Sequence, residues 1–308
     1  MFNHRFNVQE FIQNCINGLA QGSVYALVAL GYTMVYGVLQ FINFAHSDIF
    51  MLGAFAGLFL AGGVAALGIQ DPWIQFGLVT LGAMVVCTGI ALLVERVAYR
   101  PLRRAPRLNV LITAIGVSLL IENLGQVIFG SDPRVFPAIV ETKALLAEGG
   151  LVLNNIQVLV IGLSAVLMLA LHWFVHHTKT GTAMRAVSFD IEVASLMGIP
   201  TDRIIALTFI IGASLAGAAS ILYGLSYPKI EPLLGVMIGL KAFVAAVFGG
   251  IGNIVGAAVG GILIGLAEAF TVFYVSSSFR DAIAFAILIL VLLFRPAGLF
   301  GQVRKEKV

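Results

Sequence analysis

The stretch "QFINFAHSDIF", Gln40 to Phe50, interrupts an apolar run that extends from Phe11 to Ile69. Asp48 is the only formally charged residue of that run, and Asn43, His46, Ser47 and Asp48 fall within six positions of one another. Two membrane-spanning helices of about 20 residues account for only part of the run. The chain between them therefore either leaves the bilayer in a short turn with ordinary helix caps, or breaks its helix inside it. Irregular backbone at membrane depth survives only where protein buries it or a water-filled cavity adjoins it. Discontinuous helices of that kind place polar groups along a path through the bilayer. The sequence leaves both arrangements open, and it makes these four residues the first candidates for lining such a path.

The rest of the chain sets the solvent. Of 308 residues, 60% are hydrophobic and only 11% charged, against about 25% charged in a soluble domain. Long uncharged apolar segments read as transmembrane helices, and nine can be marked: roughly 11–33, 49–69, 74–94, 108–129, 156–175, 204–225, 235–250, 253–273 and 281–294. The expectation is an all-α, polytopic membrane helical bundle of about 8–10 spans, built as a single domain over 1–308. His4 and Arg5 followed by Gln13, Asn14 and Asn17 make a poor signal peptide, so the first segment is expected to remain as a span. Cys15 and Cys87 lie in apolar segments with no metal or disulfide spacing.

Basic residues orient the bundle. "ERVAYRPLRRAPR" carries five arginines, loop 176–203 carries Lys179, Arg185 and Arg203, and the tail carries Arg295, Arg304, Lys305 and Lys307, together 12 of 18 basic residues. Arg5, Arg134, Lys143, Lys229 and Arg280 fall on the opposite side. The positive-inside rule puts the twelve, and with them the C-terminus, in the cytoplasm.

Three other ionisable residues fall within spans: Glu122, Lys241 and Glu268. Such groups are costly in lipid and face a partner or a cavity. All three are path candidates, and Lys241 with Glu268, on consecutive segments, suits an ion pair. In "GGIGNIVGAAVGGILIG" the glycines Gly252, Gly256 and Gly260 recur every fourth residue, as do Gly261 and Gly265. That spacing expects one bare helix face for close packing. Glycine is not used here for phosphate: G-x-x-x-x-G-K-[ST] does not occur. In loop 176–203, Asp190 is placed to cap a helix from Ile191 to Met197, with Gly198 past its end and Pro200 beyond. Val193, Leu196 and Met197 share a face of that helix, which suits docking or the lipid surface. Catalysis has little to work with: "GASL" at 212–215 matches half of a membrane serine-protease motif, and no H-E-x-x-H is present. An intramembrane enzyme is the distant alternative, and no metal site is expected.

"GLAQGSVYALVALGYTMVYGVLQFINFAHSDIFMLGAF", "ERVAYRPLR", "FGSDPRVFP", "GTAMRAVSFDIEVASLMGI", "KAFVAAVFGGIGNIVGAAVGG" and "LLFRPAGLFG" together resemble the branched-chain amino-acid ABC transporter permeases of the LivH type, in the same order along nearly the whole chain. The resemblance implies a type II ABC importer-like fold in a bacterial inner membrane. It implies that this chain binds no cofactor and that ATP is used by partner subunits. The partners so implied are a second homologous permease subunit, two cytoplasmic ABC ATPase subunits and a periplasmic substrate-binding protein. It also implies that 181–199 contacts the ATPase, with Arg185, Asp190, Ala194 and Gly198 at recurring positions. Family members often carry Gly then Glu after "NFAH", where this chain has Ser47 and Asp48. That departure keeps urea, short amides or other amino acids as the alternative cargo.

Overall fold

The computed structural model describes residues 8–103, 105–148 and 151–301. His4, Arg5, Arg104, Arg304, Lys305 and Lys307, which enter the reading of the N-terminus and the charge count above, lie outside the described residues. Among the described residues eleven α-helices follow in order: α1 Val8–Leu39, α2 His46–Ala66, α3 Pro72–Val94, α4 Arg107–Phe129, α5 Asn155–His177, α6 Lys179–Phe189, α7 Ile191–Leu196, α8 Thr201–Ser226, α9 Leu234–Gly249, α10 Ile254–Tyr274 and α11 Arg280–Phe294. Among the described residues eight are long and apolar enough to cross a membrane, and α9 is a shorter apolar helix. All nine segments marked in the sequence are thus helices. The first runs past its expected end at residue 33 to Leu39, because no breaker intervenes before Gln40, whose φ of 56° stops the helix.

A wider π-helical turn, Glu95–Tyr99, and a 3₁₀ turn, Arg100–Leu102, continue α3. The only strands among the described residues are short and lie outside the spans: β1 Arg134–Val135 pairs with β4 Lys229–Ile230, and β2 Ala144–Glu148 pairs with β3 Leu151–Asn154. They gather at one end of the bundle. At the other end the Arg100 and Arg103 guanidiniums ion-pair with Asp202 at the start of α8, and Leu299 donates to the Phe248 carbonyl at the end of α9. The described parts of the three basic segments therefore share one end, called the basic end below.

Helix α1 is the hub. Its most apolar window is 83% buried, against 17% for α4 and 11% for the last span. Helix α1 packs on α10 through glycines that have no side chain to hold the backbones apart. A Cβ on Gly22 would lie 2.7 Å from Ile262 Cα, and one on Gly265 would lie 2.6 Å from the Gly18 carbonyl. Gly256 and Gly260 instead seat α10 on α9, against the backbone of Gly249 and Ala245. The expected ridge is corrected at one position. Gly252 is not on the helix but in the α9–α10 turn with φ 93°, a conformation that favours glycine, and Asn253 caps α10 by accepting from the Gly256 amide at 3.0 Å.

Loop 176–203 holds the expected capped helix and one more. Asp190 accepts from the Glu192 and Val193 amides at 2.8 and 3.0 Å, and Gly198 has φ 82° just beyond the helix end, so the capping signals act as the sequence suggests. Helix α6, eleven residues long, precedes it and was not expected; Thr178 caps it at the Gly181 amide, and it buries Met184 and Val187.

Candidate functional site

The polar stretch falls at a helix break buried in protein. Helix α1 ends at Leu39 beside α6, where the Gln40 amide group donates to the Ser188 carbonyl. The chain from Gln40 to Ala45 is non-helical, and α2 starts at His46 with no side-chain cap. Its first turn does not sit level with the end of α1. The His46 ring packs where a Cβ on Gly31 would be, and Gly31 precedes Leu39 by eight residues, or roughly 12 Å of helix. Ser47 and Asp48 meet Gly235 of α9: a Cβ there would lie 2.5 Å from the Ser47 carbonyl and 3.3 Å from Asp48 Oδ1. The Ser118 hydroxyl, eleven residues into α4, donates to Asp48 Oδ2 at 2.5 Å. The break is thus enclosed within the bundle, among α1, α4, α8 and α9.

Enclosure is nearly complete: Asn43, His46, Ser47 and Asp48 are 2%, 2%, 7% and 1% exposed. The Tyr99 hydroxyl donates to Asn43 Oδ1 at 2.5 Å, and its ring is set between Phe41 and Phe209. Three polar atoms in this short stretch have no hydrogen-bond partner among the described residues: Asn43 Nδ2, His46 Nε2 and Asp48 Oδ1. A buried polar group without a partner costs about 1–3 kcal/mol, so three together mark a place where stability has been given up. Asp48 faces the N-terminal turn of α9, where the helix dipole favours negative charge. Glu122 lies one turn beyond Ser118 on α4, half-buried. Asn43, His46, Ser47, Asp48 and Glu122 are therefore brought together around one helix break. A cavity of about 360 Å³ adjoins it at the basic end, lined by Gln40, Tyr99, Arg103, Ser188 and Asp190 among others.

Lys241 and Glu268 belong elsewhere. Lys241 Nζ lies 2.9 Å from Glu268 Oε1 and 2.6 Å from Asp281 Oδ1. Glu268, fully buried, also accepts from Gln21 at 2.7 Å, the Tyr25 hydroxyl at 3.0 Å and Arg280 Nε at 3.1 Å. The cluster joins α1, α9, α10 and α11 and contains two cations and two anions. The charges balance, as an internal staple requires. The expected pair is present; its extension to Arg280 and Asp281 was missed because both sit at a helix start and read as interfacial.

On the basic end, Ala194 is 3% exposed, while Val193, Leu196 and Met197 of the capped segment are 54%, 87% and 78% exposed. Arg185 stands on α6 beside Thr182. This places an unburied apolar face next to Asp190 and Gly198. An ion network then leads from it into the bundle: buried Glu95 pairs with Arg103, which reaches Asp202 at 2.5 Å, and Asp202 also holds Arg100. Sequence reasoning treated these arginines only as topogenic charge; that they face Glu95 and Asp202 follows from packing, not from spacing.

Two comparisons bear on what such a site serves. Residues 14–292 match the family described as branched-chain amino acid transport system / permease component. The chain is 41% identical over 301 residues to the high-affinity branched-chain amino acid transport system permease protein LivH of Escherichia coli K12, covering 97% of this chain and 98% of that protein. It is 40% identical over 304 residues to the corresponding permease protein BraD of Pseudomonas aeruginosa, covering 98% and 99%.

Proposed function

Since the chain belongs to the branched-chain amino acid transport permease family, we propose that it is a membrane permease subunit of an ATP-driven importer that takes up branched-chain amino acids in a bacterial inner membrane. The observation that carries the reading is near-full-length identity to relatives named for that transport, joined to a buried polar helix break with partnerless groups, the feature a path for a polar solute requires. The chain is a transport subunit and not an enzyme. Ser214, the nucleophile of the half-matched protease motif, donates to the Ile211 carbonyl of its own helix at 2.8 Å.

The basic end faces the cytoplasm in this reading. A soluble binding protein delivers the amino acid to the opposite end. Of two ATPase subunits, one meets α6 and α7 of this chain, whose exposed apolar face enters a groove on it, and the other meets the second permease subunit. Closure of the ATPases on ATP pushes α7. The Asp202–Arg103–Glu95 ion network carries the displacement to α8 and the end of α3. Tyr99 rides on that end, so its hydrogen bond to Asn43 is the contact at which movement of the ATPases opens the helix break. Asn43, His46, Ser47, Asp48 and Glu122 then line the path; Lys241 and Glu268 hold its wall.

The test is uptake of labelled leucine by cells with and without this chain, competed by isoleucine, valine, urea and acetamide. The proposal expects loss of leucine uptake on deletion and competition by isoleucine and valine alone. Unchanged leucine uptake in cells lacking redundant carriers, or competition by acetamide, refutes the substrate.

A further inference from the structure

The cavity of about 360 Å³ at the basic end has two walls of different kinds. One is the end of α1 with Val38, the π-helical Tyr99, and Val110 in the first turn of α4. The other is the run Val187–Glu192, which closes α6 and opens α7. The floor is apolar: Val38, Tyr99, Val110 and Val187 are all between 1% and 7% exposed. A small apolar hollow with a few placed polar groups suits a small molecule.

Those polar groups are of both signs. Arg103 lines the cavity and is held by Glu95 and Asp202 through its two terminal nitrogens, while its buried Nε–H has no acceptor among the described residues. Arg100 shares Asp202, so this network of two guanidiniums and two carboxylates is neutral. At the mouth stand Asp190, whose Oδ1 accepts from the first amides of α7, and Glu192, exposed and with no cation against it among the described residues. The mouth favours a cation, the floor a branched hydrocarbon, and the arginine N–H an anionic oxygen. A solute that carries all three and no net charge is an α-amino acid with an aliphatic side chain. Without its ammonium such a solute would bring a bare negative charge beside Asp190 and Glu192. Without its carboxylate it would leave the arginine donor unsatisfied.

Resting on the permease reading above, we propose that this cavity is a product-sensing site: a free branched-chain amino acid of the cytoplasm binds there, with its side chain on Val38, Val110 and Val187, its ammonium at Glu192 and its carboxylate at Arg103 Nε–H, and slows the transport cycle. The ligand lies between the α6–α7 junction, which the ATPase displaces, and Tyr99, which receives that displacement. A ligand shifts a conformational equilibrium only by its differential affinity for the two states. Here the difference is the space itself, open in this arrangement and closed when α7 is pushed toward the bundle. Uptake therefore falls as product accumulates, whatever the binding protein delivers.

The experiment measures ATP hydrolysis by the complete membrane assembly in lipid nanodiscs without binding protein, so that added leucine acts only on the membrane assembly. Leucine is expected to lower hydrolysis several-fold. Glutamate, 4-methylpentanoate and 3-methylbutylamine lack in turn the aliphatic side chain, the ammonium and the carboxylate, and each is expected to need at least about tenfold more for the same effect. Glu192→Gln is expected to raise the half-inhibitory leucine concentration about tenfold with the ATPase stoichiometry unchanged, and Val187→Phe, which fills the floor, to abolish inhibition. Irradiation with a leucine analogue carrying a diazirine in its side chain is expected to label the peptide that holds Val110 or Val187. Hydrolysis indifferent to leucine, equal inhibition by the three analogues, an unmoved half-inhibition in Glu192→Gln, or labelling confined to Asn43–Asp48 or to an ATPase overturns the proposal. The uptake assay fails separately: leucine that is taken up but does not inhibit refutes this site alone, and leucine that inhibits but is not taken up refutes the cargo alone.

Discussion

Glu268→Gln perturbs the structure at its most heavily charged buried point. Glu268 is fully buried and its carboxylate meets Lys241 at 2.9 Å and Arg280 at 3.1 Å. The substitution preserves volume and leaves two cations facing one anion, Asp281, which is itself half-exposed. Removing one partner of a buried pair costs about 3–5 kcal/mol, chiefly from the uncompensated charge that remains. The second substitution Lys241→Met removes the stranded ammonium and restores neutrality; a balanced or apolar replacement of a buried pair costs far less than a broken one. The expected order of stability is therefore wild type, then the double variant, then Glu268→Gln. The assay is thermal unfolding of the detergent-solubilised protein followed by size-exclusion chromatography. Glu268→Gln is expected to lower the midpoint by roughly 5–15 °C, and the double variant is expected to recover at least half of that loss. A double variant less stable than Glu268→Gln would refute the reasoning, because the lysine would then be stabilising for a reason other than the glutamate.

Three further outcomes follow from particular contacts. Gly265→Leu places a side chain on the backbone of Gly22 and Gly18, and is expected to cost at least about 1–3 kcal/mol by overpacking, read as loss of folded protein in membranes; full expression would contradict the close α1–α10 approach. Asp190→Ala with Gly198→Val removes the cap and the positive-φ stop of α7, and is expected to release the ATPase subunits during purification; retention at wild-type stoichiometry would count against α7 as their contact. Tyr99→Phe deletes the donor to Asn43 Oδ1 and leaves that amide without a partner among the described residues, at about 1–3 kcal/mol. It is expected to raise ATP hydrolysis in the absence of the binding protein by several-fold, and unaltered hydrolysis would remove Tyr99 from the coupling route.

What the sequence yields and what it withholds divides along one physical line. The nine apolar segments, the Asp190 cap with its Gly198 stop, and the Lys241–Glu268 pair are signals written in local composition or in the cost of a charge in lipid, and each has its counterpart in the structure. Contacts set by the rotation and depth of packed helices were not legible. Ser118 bonding Asp48, Tyr99 bonding Asn43, and Glu95 receiving Arg103 join residues from separate elements with nothing in their spacing to announce it. Gly252 shows the intermediate case. Its four-residue spacing from Gly256 suggested a helix face, while the adjacent Asn253, a strong capping residue, carried the correct information that the helix starts after it.

The central claim is that the break at Asn43–Asp48 lies on the route of the transported amino acid. The direct measurement is ATP-driven accumulation of labelled leucine in proteoliposomes that hold the complete assembly, supplied with its binding protein, for the wild type and Asn43→Leu. The account predicts that Asn43→Leu assembles with its partners in unchanged stoichiometry, still hydrolyses ATP, and accumulates leucine at least about tenfold more slowly, a loss of roughly 1.4 kcal/mol or more in the barrier. Leucine accumulation at the wild-type rate in the correctly assembled variant would contradict it and move the path away from the helix break.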